Sequence, residues 1–430
     1  MAHRTVKSGY EQLVKRLNKY PQGAPPSELL YKILAVLFSE REAGLVSALP
    51  LRPFTAARAA RAWKTDVAGA LKTLDALADR ALLVDYAGAD GETRYVLPPP
   101  MAGFFEFSMM RVRDDIDQQL LAELFYQYLN VEEDFIKALF FGGETPLGRI
   151  FVQERALSEA NALHVLDYDR ATEVIKTARH IGVGVCYCRH KMQHLGRACD
   201  APLDICMTFN TCAESLTRHG VARSISAEEC LELLDEAQDW NLVQFGENIQ
   251  QNETFMCNCC GCCCEAMLAM QRFGVTRPIH TTGFVPVVDA ARCTGCGKCV
   301  NVCPVGAMSL VSAHDPADRN RRVAKVDERV CLGCGVCVKP CPQEAIGLRS
   351  RAKNVITPVD SVHKAVVMAI ERGTFQNLLF DNQVSMSHRA LAAVLGVILR
   401  LPPIKQAMAS KQMKSRYLAA LLARYNFSEV

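Results

Sequence analysis

The sequence predicts an α+β fold spread over several domains, on three observations. At 430 residues the chain has room for roughly two to four domains, each with its own core. Helical apolar periodicity dominates both ends, while short apolar runs bounded by glycine and cysteine occupy the middle. All 20 cysteines fall between Cys186 and Cys341, so one chemistry is confined to one part of the chain. These features divide it into 1–100, 101–165, 166–285, 286–350 and 351–430.

Residues 1 to about 25 are basic and polar and end in Pro21-Gln-Gly-Ala-Pro25-Pro26. They read as a lead-in and linker with little fold of their own. Ser27 then caps a helix to about Ser39, a second covers Thr55 to Trp63, and a third runs from Asp66 to Arg80 with an apolar face of Val67, Leu71, Leu74 and Leu77. Leu82–Tyr86 and Thr93–Leu97 flank a turn at Ala87–Gly91 and predict a hairpin. Three helices followed by a hairpin is the order of a winged helix. A DNA-reading role would use Asp66–Arg80 as the recognition helix. Lys72 is its only base before Arg80, although Arg52, Arg58, Arg61 and Lys64 make a modest basic patch. Protein docking is therefore favoured over DNA.

Residues 101–165 carry helical spacing, clearest over Asp114–Tyr128, and many aromatics, including Phe104, Phe105, Phe125, Tyr128 and Phe135. Such spacing fills a bundle interior.

From 166 to 285 a helix (Asp169–Arg179) precedes a buried strand, Ile181–Val185. Cys186, Cys188, Cys199, Cys206 and Cys212 follow, with Arg189, His190, Lys191 and His194 among them. Ser226 and Glu229 start a helix to about Trp240, and Leu242–Phe245 is a strand. Next come Cys257, Cys259, Cys260, Cys262, Cys263 and Cys264, six cysteines in eight residues, and a helix Glu265–Phe273 stopped by Gly274. Neighbouring side chains diverge too much to pair readily as disulfides. Thiolates at a strand end and a helix start make a soft-metal site, aided by helix amides. The expectation is at least one further iron–sulfur cluster, joining Cys188, Cys199 and Cys206 to members of the 257–264 run, with Cys186 next in rank. Cys212 ranks lower, Cys230 reads as an inert buried thiol, and His190 and His194 are secondary ligand candidates. About eight irons per chain would leave none for such a cluster, and about twelve would support it.

The stretch from Arg292 to Pro342 is the most specific. Cys293, Cys296, Cys299 and Cys303-Pro304 return with an offset of 38 as Cys331, Cys334, Cys337 and Cys341-Pro342. Twice-repeated C-x2-C-x2-C-x3-C-P is the spacing that wraps thiolates round an iron–sulfur cubane. Paired zinc knuckles would leave the third x2 step, the x3 step and the proline without purpose. Strands are expected at Val287–Val288, Met308–Val311, Val326 and Ile346–Leu348.

Residues 286–350 resemble a bacterial-type ferredoxin with two [4Fe-4S] clusters. In that family the fourth cysteine of each run ligates the other cluster. The resemblance implies one cluster on Cys293, Cys296, Cys299 and Cys341, and the other on Cys331, Cys334, Cys337 and Cys303. Unlike the acidic mobile members, this stretch has nine Lys/Arg against six Asp/Glu, which suits a module fixed in a larger assembly. No aromatic occurs between Phe284 and Phe375 to act as a relay within it.

Residues 351–430 carry eleven basic and four acidic side chains and read as helices at Asp360–Arg372, Gln383–Leu399 and Ile404–Tyr425. The last, basic and amphipathic, could dock to the core or a partner, with peripheral membrane contact as the alternative. No apolar run reaches the ~20 residues of a transmembrane helix, and no secretory leader is evident. These features predict a cytoplasmic protein with metal-bound rather than disulfide-bonded cysteines.

No dinucleotide fingerprint or P-loop is present. The chain therefore reads as an electron-transfer subunit of an anaerobic cytosolic oxidoreductase complex rather than a self-contained enzyme, with redox proteins as partners. Two alternatives stand beside it: reduction of a disulfide or thioester at the 186–264 cluster, and a redox-responsive winged-helix regulator.

Overall fold

The computed structural model describes residues 8–141, 143–163, 165–273, 281–351, 357–380 and 392. They mix helix and sheet and form two compact units. The first comprises Met1–Thr145, Thr211–Ala222 and Val359–Val430, and the second Pro146–Asn210 and Arg223–Pro358.

The first unit is mostly helical. Residues expected to be a lead-in instead form a helix, Gly9–Leu17, capped by Ser8. It buries Leu13, Val14 and Leu17 and packs against Glu40–Ser47, a helix closed by a Ser39–Glu42 capping box. Short helices of this kind hold through tertiary burial more than intrinsic propensity. Glu28–Leu37, Ala56–Trp63 and Val67–Ala78 are capped by Ser27, Thr55 and Asp66. On Val67–Ala78 the buried face is Ala70, Leu74, Leu77 and Ala78, while Val67 and Leu71, expected inside, are 51 % and 41 % exposed. Val84–Ala87 and Thr93–Val96 form the expected hairpin, and a bridge from Phe54 to Tyr95 adds to it. Phe104, Phe105, Phe125, Tyr128 and Phe135 pack ring to ring with centroids 4.9–6.4 Å apart in the core. Asp360 caps Ser361–Glu371. The expected helices at 383–399 and 404–425 lie outside the described residues, Ala392 apart.

The second unit is built on a six-stranded antiparallel sheet in the order Gly148–Ile150, Val243–Glu247, Phe255–Cys259, Asp204–Phe209, Ile181–Val185, Arg223–Ser224. Helices Ala171–Thr177 and Ala227–Asp239 cover one face, burying Phe151, Ile175, Ile181, Met207, Phe209, Leu234 and Met256. Side chains alternate across a strand, so residues between these apolar ones face the other way. That opposite face receives Cys206 from one strand and Cys257 and Cys259 from its neighbour. Gly184 stands directly opposite Cys206 in the register.

The unit also holds two antiparallel strand pairs, Phe284–Val288 with Ile346–Ser350 and Met308–Ser312 with Arg322–Val326. They frame the two cysteine loops of the repeat.

Candidate metal centres

Each repeat loop bends on glycines with left-handed backbone. At Gly295 (φ +69°) a Cβ would stand 2.4 Å from the Arg322 carbonyl oxygen, and at Gly333 (φ +74°) 2.2 Å from that of Phe284. No side chain fits either place. The loops curl round two small cavities. Cys293, Cys296, Cys299 and Cys341 line one, and Cys331, Cys334, Cys337 and Cys303 the other. The fourth cysteine of each loop thus reaches the cavity of its sibling. Both sets share one apolar core built on Cys299, Met308, Ala324, Cys337 and Ile346.

The backbone supplies amides to these sulfurs. Ala307 N–H donates to Cys303 Sγ (3.2 Å), and Ala345 N–H, 38 residues on, donates to Cys341 Sγ (3.3 Å). Ala324 N–H serves Cys293 (3.4 Å) and Gly333 N–H serves Cys331 (3.4 Å). Burial pushes the Cys334 thiol up to about 12 and also raises Cys331, Cys337 and Cys299. The buried sulfurs about each cavity are costly as thiolates unless a cation neutralises them, and the all-thiol donor set suits iron–sulfur ligation. Cys296 is exposed, whereas Cys331, Cys334 and Cys337 are all buried.

The second cysteine region divides into two groups. Cys186 faces Cys206, Cys206 faces Cys257, and Cys257 faces Cys259. Cys264 receives both Cys188 and Cys259. Those two thiols, together with the amides of Ala266 and Met267 at the start of helix Glu265–Phe273, hold Cys264 well below the usual thiol range. The other group is Cys199, Cys260, Cys262 and Cys263, whose Sγ atoms all lie within 4.8 Å of one another. Cys199 therefore joins the 257–264 run without Cys188 and Cys206, which meet other members of it.

Arg189 lies behind both groups. Its side chain is fully buried, donating to the carbonyls of Pro202 (2.9 Å) and Asn258 (3.1 Å). Burial disfavours its charge, but Cys186, Cys206 and Cys260 more than offset this and raise its pKa. Cys260 is brought down to about 4, first by the Cys263 thiol and then by Arg189. Lys191 makes a buried ion pair with Glu265. His190 and His194 approach each other, Nε2 to Nε2, at 3.2 Å. Cys230 sits in the apolar core on the far face of the sheet, and Cys212 belongs to the first unit.

The two regions meet at a close backbone contact, and a Lys339–Asp239 ion pair also joins them. Gly261 packs against Pro304, the residue after Cys303, so closely that a Cβ would stand 2.7 Å from the Pro304 carbonyl oxygen. Gln271 Nε2 bridges the carbonyls of Gly261 (2.8 Å) and Pro304 (2.6 Å). Sequence reasoning had no signal for this contact, because 43 residues separate the partners.

Residues 292–345 match the family model of the 4Fe-4S dicluster domain. This part of the chain is an iron–sulfur domain of ferredoxin type. No curated protein and no solved structure matches the chain. Among the described residues, no helix is long and apolar enough to cross a membrane.

Proposed function

We propose that the protein carries single electrons from a redox partner to the cysteine-rich sheet, as a subunit of a cytosolic anaerobic oxidoreductase complex. The observation that carries this reading is the packing of Gly261 on Pro304, which sets the 257–264 loop against the edge of the cavity holding Cys303. A [4Fe-4S] cluster in each cavity, and a third iron–sulfur centre on the Cys186, Cys188, Cys206, Cys257, Cys259 and Cys264 group, would supply reversible one-electron storage. Cys293, Cys296, Cys299 and Cys341 would hold the first, and Cys331, Cys334, Cys337 and Cys303 the second.

Exposed Cys296 offers a docking partner an approach to the first cavity, while Cys331, Cys334 and Cys337 of the second are buried. Amide donors to Cys303 and Cys341 favour the more reduced, more negative state of whatever those sulfurs bind. Val67 and Leu71, exposed on a helix whose only base is Lys72, favour protein docking by the N-terminal helices over DNA reading.

Anaerobic alkylation read by mass spectrometry tests the ligand sets. In Cys341→Ala, Cys293, Cys296 and Cys299 should become reactive while Cys331, Cys334 and Cys337 stay protected. Reaction of the second trio instead would show that each loop serves its own cavity and would remove the ferredoxin reading of the pair.

A further inference from the structure

The four thiols of Cys199, Cys260, Cys262 and Cys263 are spaced for one ion rather than for a cluster. The Cys262 and Cys263 sulfurs are 3.7 Å apart and those of Cys263 and Cys199 4.0 Å, and all four lie within 4.8 Å of one another. A tetrahedron with metal–sulfur bonds of about 2.3 Å has sulfur–sulfur edges of ~3.8 Å. Four irons and their bridging sulfides stand between the thiolates of a cubane, which needs a wider cage.

Local structure brings the set together. Cys199 comes from the loop between helix Tyr187–His194 and strand Asp204–Phe209, and the other three from the turn that joins strand Phe255–Cys259 to helix Glu265–Phe273. That tight turn lets the adjacent Cys262 and Cys263 point the same way. The charge balance agrees. Four thiolates about a divalent ion leave a net −2, which needs a compensating cation in a buried setting. Arg189 is fully buried beside Cys260, to which it hydrogen-bonds as well as to the carbonyls of Pro202 and Asn258.

We infer that Cys199, Cys260, Cys262 and Cys263 bind a single tetrahedral metal ion, Zn²⁺ or Fe²⁺, distinct from the iron–sulfur centres. Such an ion clamps the 260–263 turn and so holds Gly261 against Pro304. The inference stands on the geometry of these four sulfurs and survives even if the protein proves to have another redox role.

Native mass spectrometry of the anaerobically purified full chain tests it. The expected spectrum shows iron–sulfur cluster masses plus one lone zinc or iron, and elemental analysis tells the two apart. Cys262→Ala, at the exposed member of the set, should lose that one ion and keep the cluster masses. Cys264→Ala should instead lose cluster iron and keep the lone ion. Loss of about four irons together in Cys262→Ala would make the set part of a polynuclear cluster and overturn the inference. So would a wild-type spectrum with whole clusters only, and that measurement decides the matter if either variant fails to fold.

Discussion

Replacing Gly261 with alanine probes its contact with Pro304. The new Cβ would meet three backbone atoms of Pro304: the carbonyl oxygen at 2.7 Å, Cα at 2.9 Å and the carbonyl carbon at 3.2 Å. None can rotate away, so the two loops must part by roughly 0.5–1 Å to reach ordinary contact at ~3.5 Å. Overpacking of this kind costs about 1–3 kcal/mol. Weakening the Gln271 bridge to both carbonyls adds up to about 1 kcal/mol, while stiffening the unfolded chain returns ~0.4–1 kcal/mol. The expected net loss is about 1–2.5 kcal/mol. Gly347→Ala is the control, since nothing lies within 4 Å of its Cβ position, and it should be neutral or stabilising by up to ~1 kcal/mol. Urea unfolding of the holoprotein under argon, followed by circular dichroism and visible absorbance, compares the two. Equal midpoints for Gly261→Ala and Gly347→Ala would refute the close packing. If the contact also carries electrons, Gly261→Ala should slow reduction of the centre on the sheet relative to the ferredoxin pair.

Two further outcomes are expected. Cys230, fully buried among Phe151, Ile175 and Met207 with its thiol pushed up to about 12 by burial, should be replaceable by alanine with no change in metal content and a cost of about 1 kcal/mol; Cys230→Ser should cost more, because a hydroxyl replaces the thiol in an apolar core. In the first unit, His219 Nε2 lies 3.0 Å from Asp85 Oδ1, and this hydrogen bond raises the His219 pKa. A raised histidine pKa gives stability fully present below about pH 6.5 and lost as pH rises through the folded-state value. Asp85 is the opposite case. Burial opposes its ionisation, yet hydrogen bonds from His219 and Ser215 bring it down to about 2, so its contribution is present above about pH 4 and lost as pH falls toward 2. A pH series of unfolding midpoints should lose the step above about pH 6.5 in His219→Gln, and an unchanged profile would mean that the pair adds nothing.

Local signals in the chain were enough to define the repeat, the caps and several elements. Cysteine spacing, glycine and proline are short-range constraints, so C-x2-C-x2-C-x3-C-P specifies two loops and their turns without reference to the rest of the molecule. Helix Glu265–Phe273 and strand Ile181–Val185 were legible for the same reason, and Cys230 could be set apart by its place on an amphipathic helix. Helix Gly9–Leu17 was missed because its polar sequence is ordered by packing against Glu40–Ser47. Val67 and Leu71 were placed inside because apolar spacing does not say which stripe a neighbour covers. Only the tertiary structure could sort the six-in-eight cysteine run. Sheet register sends Cys206, Cys257 and Cys259 to one face, the turn gathers Cys260, Cys262 and Cys263 with Cys199, and Gly261 meets Pro304. Partners distant along the chain become neighbours only when strands pair and loops close, and spacing along a single strand carries no record of that.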